Sequence, residues 1–303
     1  MKNEQYYWGV DLGGTKIECA VIDRNTEECV VRERIATEGQ FGYEHVLNRI
    51  KELIDLCKEK SGITPARIGF GTPGTLDPKL GVMKNCNSTS LNGKSLDKDL
   101  ERILGCDVVL ANDANCFALA ETHFGAAKRL KPDAEVVFGI IMGTGVGSGI
   151  VVNGKVINGC HGIGGEWGHN VIEPNGRDCY CGKKGCLETV MSGKGLEAYY
   201  QQLTGQNLPL PEIVAKARLG DEDGIKTLSR MIETFGLAVS QIINTIDPDV
   251  IVVGGGVGNI DELYEQGPKA VLAHLFNPEL NTLIVKPDLG DSAGVFGAAA
   301  LVK

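Results

Sequence analysis

Four side chains able to ligate a soft or borderline metal, His169, Cys179, Cys181 and Cys186, fall within Gly164 to Glu188. A carboxylate stands towards each end of that stretch, Glu166 before the histidine and Glu188 after the last cysteine. One His and three Cys make a closed tetrahedral set for Zn²⁺ with no position left for a reacting water, which predicts a structural metal. Free cysteines beside a satisfied histidine, or a disulfide, would be the alternatives, but Cys/His clusters in an intracellular chain more often bind metal. The Cys179-x-Cys181 pair is too tight for ordinary secondary structure, and Gly176, Gly182 and Gly185 supply the permissive backbone a small ligand loop needs. A metal there would fasten Glu166 and Glu188. Each carboxylate accepts hydrogen bonds at both oxygens, so the pair suits a ligand rich in hydroxyls, such as a sugar.

A second kind of chemistry is written into the turns. Tyr6 to Val10 is a short apolar strand running into Asp11-Leu12-Gly13-Gly14-Thr15-Lys16, after which Ile17 to Ile22 resumes as strand. This is not a Walker loop, which needs Gly-x4-Gly-Lys-Ser/Thr followed by a helix. Two glycines, a hydroxyl and a lysine can still wrap phosphate oxygens, and Asp11 could hold Mg²⁺ through water. A plain hairpin turn fits the same residues. The pattern returns as the strand Val136 to Met142, the turn Gly143-Thr144-Gly145-Val146-Gly147 and the strand Ile150 to Val152, which reverses at Asn153-Gly154. Unless two hairpins resemble each other by chance, the repetition predicts two similar lobes gripping one polyphosphate from opposite sides.

Between the turns, Val108 to Leu110 reads as a strand that passes through Ala111-Asn112-Asp113-Ala114-Asn115 into a helix. Asp113 stands where an N-cap would stand, a role worth ~1 kcal/mol. It stands equally where a general base could take the proton of a hydroxyl attacking phosphorus. Ala66 to Gly74 contains Gly69, Gly71 and Gly74 in the spacing G-x-G-x-x-G. A dinucleotide fold is rejected there because Pro73 lies inside the pattern and Thr75-Leu76-Asp77-Pro78 opens no helix. A tight turn beside a substrate is expected instead. The run Lys84 to Gly93, with Asn87 at its middle, carries amides and hydroxyls suited to sugar, or simply to solvent.

The positioning elements follow from periodicity. Val46, Ile50, Leu53, Ile54 and Cys57 predict a scaffold helix from Tyr43 that ends before Gly62. Polar helical segments span Gly195 to about Arg218, and an apolar helix spans Glu233 to Thr245, stopped by Asp247-Pro248. Val250 to Val253 is a buried strand whose C-terminal Gly254-Gly255-Gly256 either admits an adenine or packs a helix closely. Gly290 to Lys303 reads as a closing helix packed by small residues. With 303 residues, 43% of them hydrophobic, the chain can bury a substantial core in two lobes. The net charge of -9 gives no electrostatic reason to bind DNA or an anionic membrane. No signal peptide or membrane span is visible, and seven of the ten cysteines are scattered singly, so a cytoplasmic chain with reduced thiols is expected.

Taken together, the chain resembles the ROK family of repressors, uncharacterised reading frames and sugar kinases along nearly its entire length. Cys179-Tyr180-Cys181-Gly182-Lys183-Lys184-Gly185-Cys186-Leu187-Glu188 matches that family's C-x-C-G-x-x-G-C-x-E signature, and Gly165-Glu166-Trp167-Gly168-His169 its G-E-x-G-H element. The resemblance implies an α/β fold of the actin-like ATPase (ribonuclease-H-like) class, duplicated as two lobes around a central cleft. Residues 1–112 with 290–303 are expected to form the smaller lobe and 113–289 the larger. The implied reaction is ATP- and Mg²⁺-dependent phosphorylation of the 6-hydroxyl of a free hexose by a homodimer. Asp113 is implied as the catalytic base. Gly71, Asn87, Asn112, Asp113, Glu166, His169 and Glu188 are expected to hold the sugar, His169 also ligating zinc. Asp11, Gly13, Gly14, Thr15 and Lys16, with Gly143, Thr144 and Gly145, are expected at the phosphates, and Gly255 and Gly256 at the adenosine. The runs Lys84 to Gly93 and Leu110 to Cys116 are similar to the fructokinase/mannokinase branch, which favours fructose or mannose over glucose, N-acetylglucosamine or N-acetylmannosamine. ROK repressors carry a helix-turn-helix domain before the sugar domain, whereas ten residues precede Asp11 here, so a DNA-binding repressor is not expected. A sugar sensor that consumes no ATP is the rival from another class.

Overall fold

The computed structural model describes residues 5–303. Two compact units divide the chain: one takes the residues up to Gly125 together with Gly154–Gly164 and Leu289–Lys303, the other Ala126–Asn153 and Gly165–Asp288. The expected division after residue 112 is therefore displaced.

In the first unit, strands β1 (Tyr6–Leu12), β2 (Lys16–Asp23), β3 (Cys29–Ala36), β4 (Arg67–Thr72) and β5 (Asp107–Asn112) form one sheet in the order β3-β2-β1-β4-β5. β1 pairs antiparallel with β2 and parallel with β4, and β4 pairs parallel with β5. In the second unit, β6 (Val136–Met142), β7 (Val146–Val152), β8 (Val250–Gly254) and β9 (Leu283–Val285) run β7-β6-β8-β9. β6 is again antiparallel to its hairpin partner and parallel to β8, which is parallel to β9. The two glycine–threonine turns are thus equivalent hairpin connections in a duplicated fold.

Alternation along β1 assigns its two faces. Trp8 and Val10 enter a core with Ile50, Leu53 and Ile54 of helix α1 (Tyr43–Ser61), whose last turn closes on Gly62 at φ 70°. Tyr7, Gly9 and Asp11 take the opposite face, covered by the terminal helix, which spans Ala293–Ala300. That helix lies flush against backbone: a Cβ at Gly9 would meet Val295 O at 2.3 Å, and one at Gly69 would meet Ala298 O at 1.9 Å. Gly69 is accordingly a mid-strand glycine in β4, and the turn expected at Ala66 to Gly74 begins only after Thr72. The segment enters no helix there, in keeping with the rejection of a dinucleotide fold. Gly297 presses equally on Cys116 O, 1.8 Å from its would-be Cβ, which binds the helix Asp113–His123 into the first unit. This contact explains the displaced division.

The second core gathers Phe138, Ile140, Met191, Phe235, Ile251 and Val253. Its long helix spans Glu222–Ile246, eleven residues before the expected start at Glu233. Asp221 caps it by accepting the Gly224 amide at 2.8 Å, and the polar turn after that cap hides the helical period. Among the described residues no helix is long and apolar enough to cross a membrane.

Candidate active site

The loop Gly165-Glu166-Trp167-Gly168-His169 is seated on β7 by its residue types. Trp167 is buried edge-on against Phe138, with ring centroids 5.7 Å apart. Ser148 Oγ donates to Gly165 O at 2.5 Å. Gly168 leaves no room for a side chain, since a Cβ there would stand 2.1 Å from Val146 O. Glu166 and His169 are thereby projected from a fixed backbone. The cysteine loop folds back on the same element: Cys179 N donates to Lys183 O at 2.8 Å, and Lys183 Nζ donates to His169 O at 3.1 Å. Gly185, at φ 68°, passes so close to Glu173 O that a Cβ would be 1.7 Å away.

Cys179, Cys181, Cys186 and His169 place their ligand atoms within 4.8 Å of one another. Cys181 Sγ and Cys186 Sγ are 3.6 Å apart, and Cys179 Sγ lies 3.5 Å from His169 Nδ1. A tetrahedron with Zn–S bonds of about 2.3 Å has S···S edges of ~3.8 Å, so both the donor types and their spacing fit zinc. The thiols are all free.

Glu188 is the second residue of the helix Leu187–Met191, two positions after Cys186, which caps that helix. Its Oε2 accepts the Val146 amide at 2.9 Å and lies 2.5 Å from where a Cβ on Gly145 would stand. One carboxylate oxygen thus braces the turn Gly143-Thr144-Gly145, which explains why residue 145 has no side chain. Gly143 N donates to Gly145 O at 2.9 Å, and Gly193 N donates to Gly143 O at 2.8 Å. Beyond β8, Gly255 takes φ 82° and has no room for a Cβ, which would strike Met142 O at 2.4 Å, in line with the packing reading of that glycine. Gly256 faces open space.

In the first unit, the N-cap of the helix Asp113–His123 is Asn112, whose Oδ1 accepts the Ala114 amide at 2.8 Å. Asp113 is the first helical residue rather than the cap, and its Oδ1 shares that amide at 2.7 Å. Its surface is solvent-accessible, yet desolvation by surrounding protein raises its pKa, against the opposing pull of the Ala114 amide and the Asn112 side chain. Asp11 is pushed up to about 6, first by burial and then by the negative charges of Asp113 and Glu18, with Lys16 and Arg34 opposing. A Cβ on Gly71 would sit 3.5 Å from Asp11 Oδ1, so Gly71 admits that carboxylate between strand and helix. This is an arrangement that can hold a cation and accept a proton.

Gly13 and Gly14 line a 260 Å³ recess together with Thr37, Asn87, Ser88 and Ser90. Asn87 N donates to Pro73 O at 3.3 Å, and Asn92 braces the loop by accepting from Cys86 N at 2.9 Å. The first glycine–threonine turn and the polar run Lys84 to Gly93 therefore meet in one hollow. Thr15, Lys16 and Thr144 are exposed at the tips of their turns. Two contributors escaped sequence reasoning: Gly294, whose missing Cβ would lie 2.6 Å from Asp11 Oδ2, and Tyr180, whose hydroxyl lies 3.0 Å from His169 Nε2. The first had no signal beyond a glycine in a small-residue helix, and the second was only a variable letter between two cysteines.

The model of the ROK family matches residues 7–303. The chain belongs to the ROK family. The N-acetyl-D-glucosamine kinase of Histophilus somni (strain 129Pt) is 40% identical, over 97% of this chain and 98% of its own. Among solved ROK structures, the hexokinase from Thermus thermophilus superimposes with a TM-score of 0.88 at 31% identity, covering 98% of this chain and 97% of that one. The ROK glucokinase from Streptomyces griseus, in complex with glucose and AMPPNP, gives a TM-score of 0.76 at 27% identity, with 98% of each chain covered. The fold is accordingly the actin-like, duplicated α/β fold of ROK sugar kinases. The narrower expectation of a fructokinase/mannokinase branch is corrected: full-length relatives at 38% to 40% identity carry the name N-acetyl-D-glucosamine kinase.

Proposed function

We propose that this ATP-dependent ROK sugar kinase phosphorylates the 6-hydroxyl of N-acetyl-D-glucosamine. The observation that carries the choice of sugar is the full-length similarity to N-acetyl-D-glucosamine kinases. Asp113 accepts the proton of the attacking hydroxyl as its oxygen bonds to the γ-phosphorus and the bond from phosphorus to the ADP oxygen breaks. A base raised above the ordinary carboxylate range keeps that proton better than an unperturbed aspartate would. Asn112, Glu166, His169 and Glu188, with Gly71 and Asn87, hold the sugar hydroxyls.

Gly13, Gly14, Thr15 and Lys16, together with Gly143, Thr144 and Gly145, hold the phosphates, and Gly255 and Gly256 border the adenosine. Asp11 takes part in binding Mg²⁺, and the mutual repulsion of Asp11 and Asp113 supports a cation beside them. Mg²⁺ supplies neutralisation of charge on the transferring phosphoryl group. His169, Cys179, Cys181 and Cys186 hold a structural zinc that fixes the loop bearing Glu166 and Glu188.

A coupled ADP-release assay over N-acetylglucosamine, N-acetylmannosamine, glucose, mannose and fructose tests the reading. N-acetylglucosamine is expected to give the highest kcat/KM. A higher value for fructose or mannose refutes the sugar assignment, and no turnover of any of them refutes the assigned chemistry.

A further inference from the structure

Tyr180 stands between two ligand cysteines at a position where the donor set requires no aromatic ring. Its side chain is 80% exposed, an unusual setting for so large a group on a loop whose backbone is otherwise pinned. Its hydroxyl nevertheless has a partner, His169 Nε2 at 3.0 Å, and the two rings meet edge-on at 88° with centroids 5.1 Å apart. The other ring nitrogen, Nδ1, faces Cys179 Sγ at 3.5 Å. An imidazole that offers Nδ1 to a metal carries its proton on Nε2 and can only donate there. The Glu166 carboxylate, at 3.9 Å from Nε2, lies beyond hydrogen-bond reach. The Tyr180 hydroxyl is therefore the acceptor that this donor meets.

We infer that Tyr180 is an internal competitor of the sugar. Its hydroxyl occupies on His169 Nε2–H the hydrogen bond that a sugar hydroxyl takes on binding, and the exposed phenol is displaced into solvent as the sugar arrives. This rests on the reading of His169 as both metal ligand and sugar contact. The exposure of the ring makes the exchange feasible, since little packed surface beyond the edge of the His169 ring is lost when it moves. Tyr180 thereby sets affinity: one neutral hydrogen bond must be given up before the hydroxyl is gained, which corresponds to about a 2- to 10-fold weaker Kd for sugar.

Tyr180→Phe keeps the ring and removes the competing oxygen. The zinc-loaded variant is expected to bind N-acetylglucosamine about 2- to 10-fold more tightly than the wild type in calorimetric titrations without nucleotide. Unchanged or weaker binding at equal zinc content overturns the proposal. If the wild type prefers another hexose of the panel, the titration is run with that hexose. A wrong sugar assignment is then separated from a wrong role for Tyr180. A second readout needs no sugar: in long-range proton–nitrogen spectra of the zinc-loaded protein, the His169 Nε2 proton should exchange with solvent faster in Tyr180→Phe. Equal exchange rates mean that the hydrogen bond is not made, which also overturns the inference.

Discussion

Replacing Asp11 by Asn removes a charge that the first unit holds at a free-energy cost. Asp11 is the penultimate residue of β1, on the face covered by the terminal helix, and Gly294 stands without a side chain against its carboxylate. Burial, Asp113 and Glu18 move its pKa from the ordinary 3.8 to about 6. A tenfold change in proton affinity is worth ~1.36 kcal/mol, so the ionised carboxylate costs at most about 3 kcal/mol of stability at pH 7.5. A carboxyl whose folded pKa is raised adds stability in its protonated form; that contribution is complete below pH 3.8 and lost as pH rises through about 6. Asp11→Asn is therefore expected to be the more stable protein at pH 7.5, by up to about 3 kcal/mol, with the gap reduced to roughly half by pH 5. The assay is urea unfolding without Mg²⁺ or nucleotide in a Trp167→Phe background. The remaining tryptophan, Trp8, is fully buried in β1, so its fluorescence reports the unit that contains Asp11. An Asn variant no more stable than its parent at pH 7.5, or a gap that ignores pH, would refute the reasoning.

Asp113→Asn is expected to lose about 10²- to 10⁴-fold in kcat while sugar binding stays within a few-fold, measured by ADP release and calorimetry. In the parent, kcat/KM should fall with decreasing pH through the raised pKa of Asp113, above the usual carboxylate range; full turnover in the variant would leave the residue a role in the helix start only. Cys186→Ser should abolish stoichiometric zinc in elemental analysis and weaken sugar binding while nucleotide binding persists. Sugar binding of undiminished affinity in zinc-free wild type would count against a fastening role for the metal. Gly297→Ala drives a methyl to within 1.8 Å of Cys116 O, and calorimetric unfolding should show a loss of about 1–3 kcal/mol or more.

How much of this was legible in the chain depends on the range over which each feature is encoded. The metal loop, the two glycine–threonine turns and the helix over Tyr43–Ser61 are local patterns of residue type, and the structure builds each where the sequence placed it. The role open to Asp113 was not legible, because a one-residue difference in where the helix begins decides whether it caps. Asn112 takes the cap. The glycines of β4 pointed to a turn because what they accommodate is distant in the chain: Gly69 makes room for a helix more than 200 residues later, and Gly71 for Asp11 and Cys116. β9 offers only three strand residues and becomes a strand by pairing with β8.

By itself the sequence determined the family, the grouping of one histidine and three cysteines, and the duplicated strand–turn–strand plan, since each is a spacing of side chains along the chain. Tertiary structure alone decided that Gly145 yields its space to Glu188, that Gly294 yields to Asp11, and that His169 meets the Tyr180 hydroxyl. Those are approaches between residues far apart in sequence or turned towards each other by a folded loop, and their closeness follows from packing rather than from spacing along the chain.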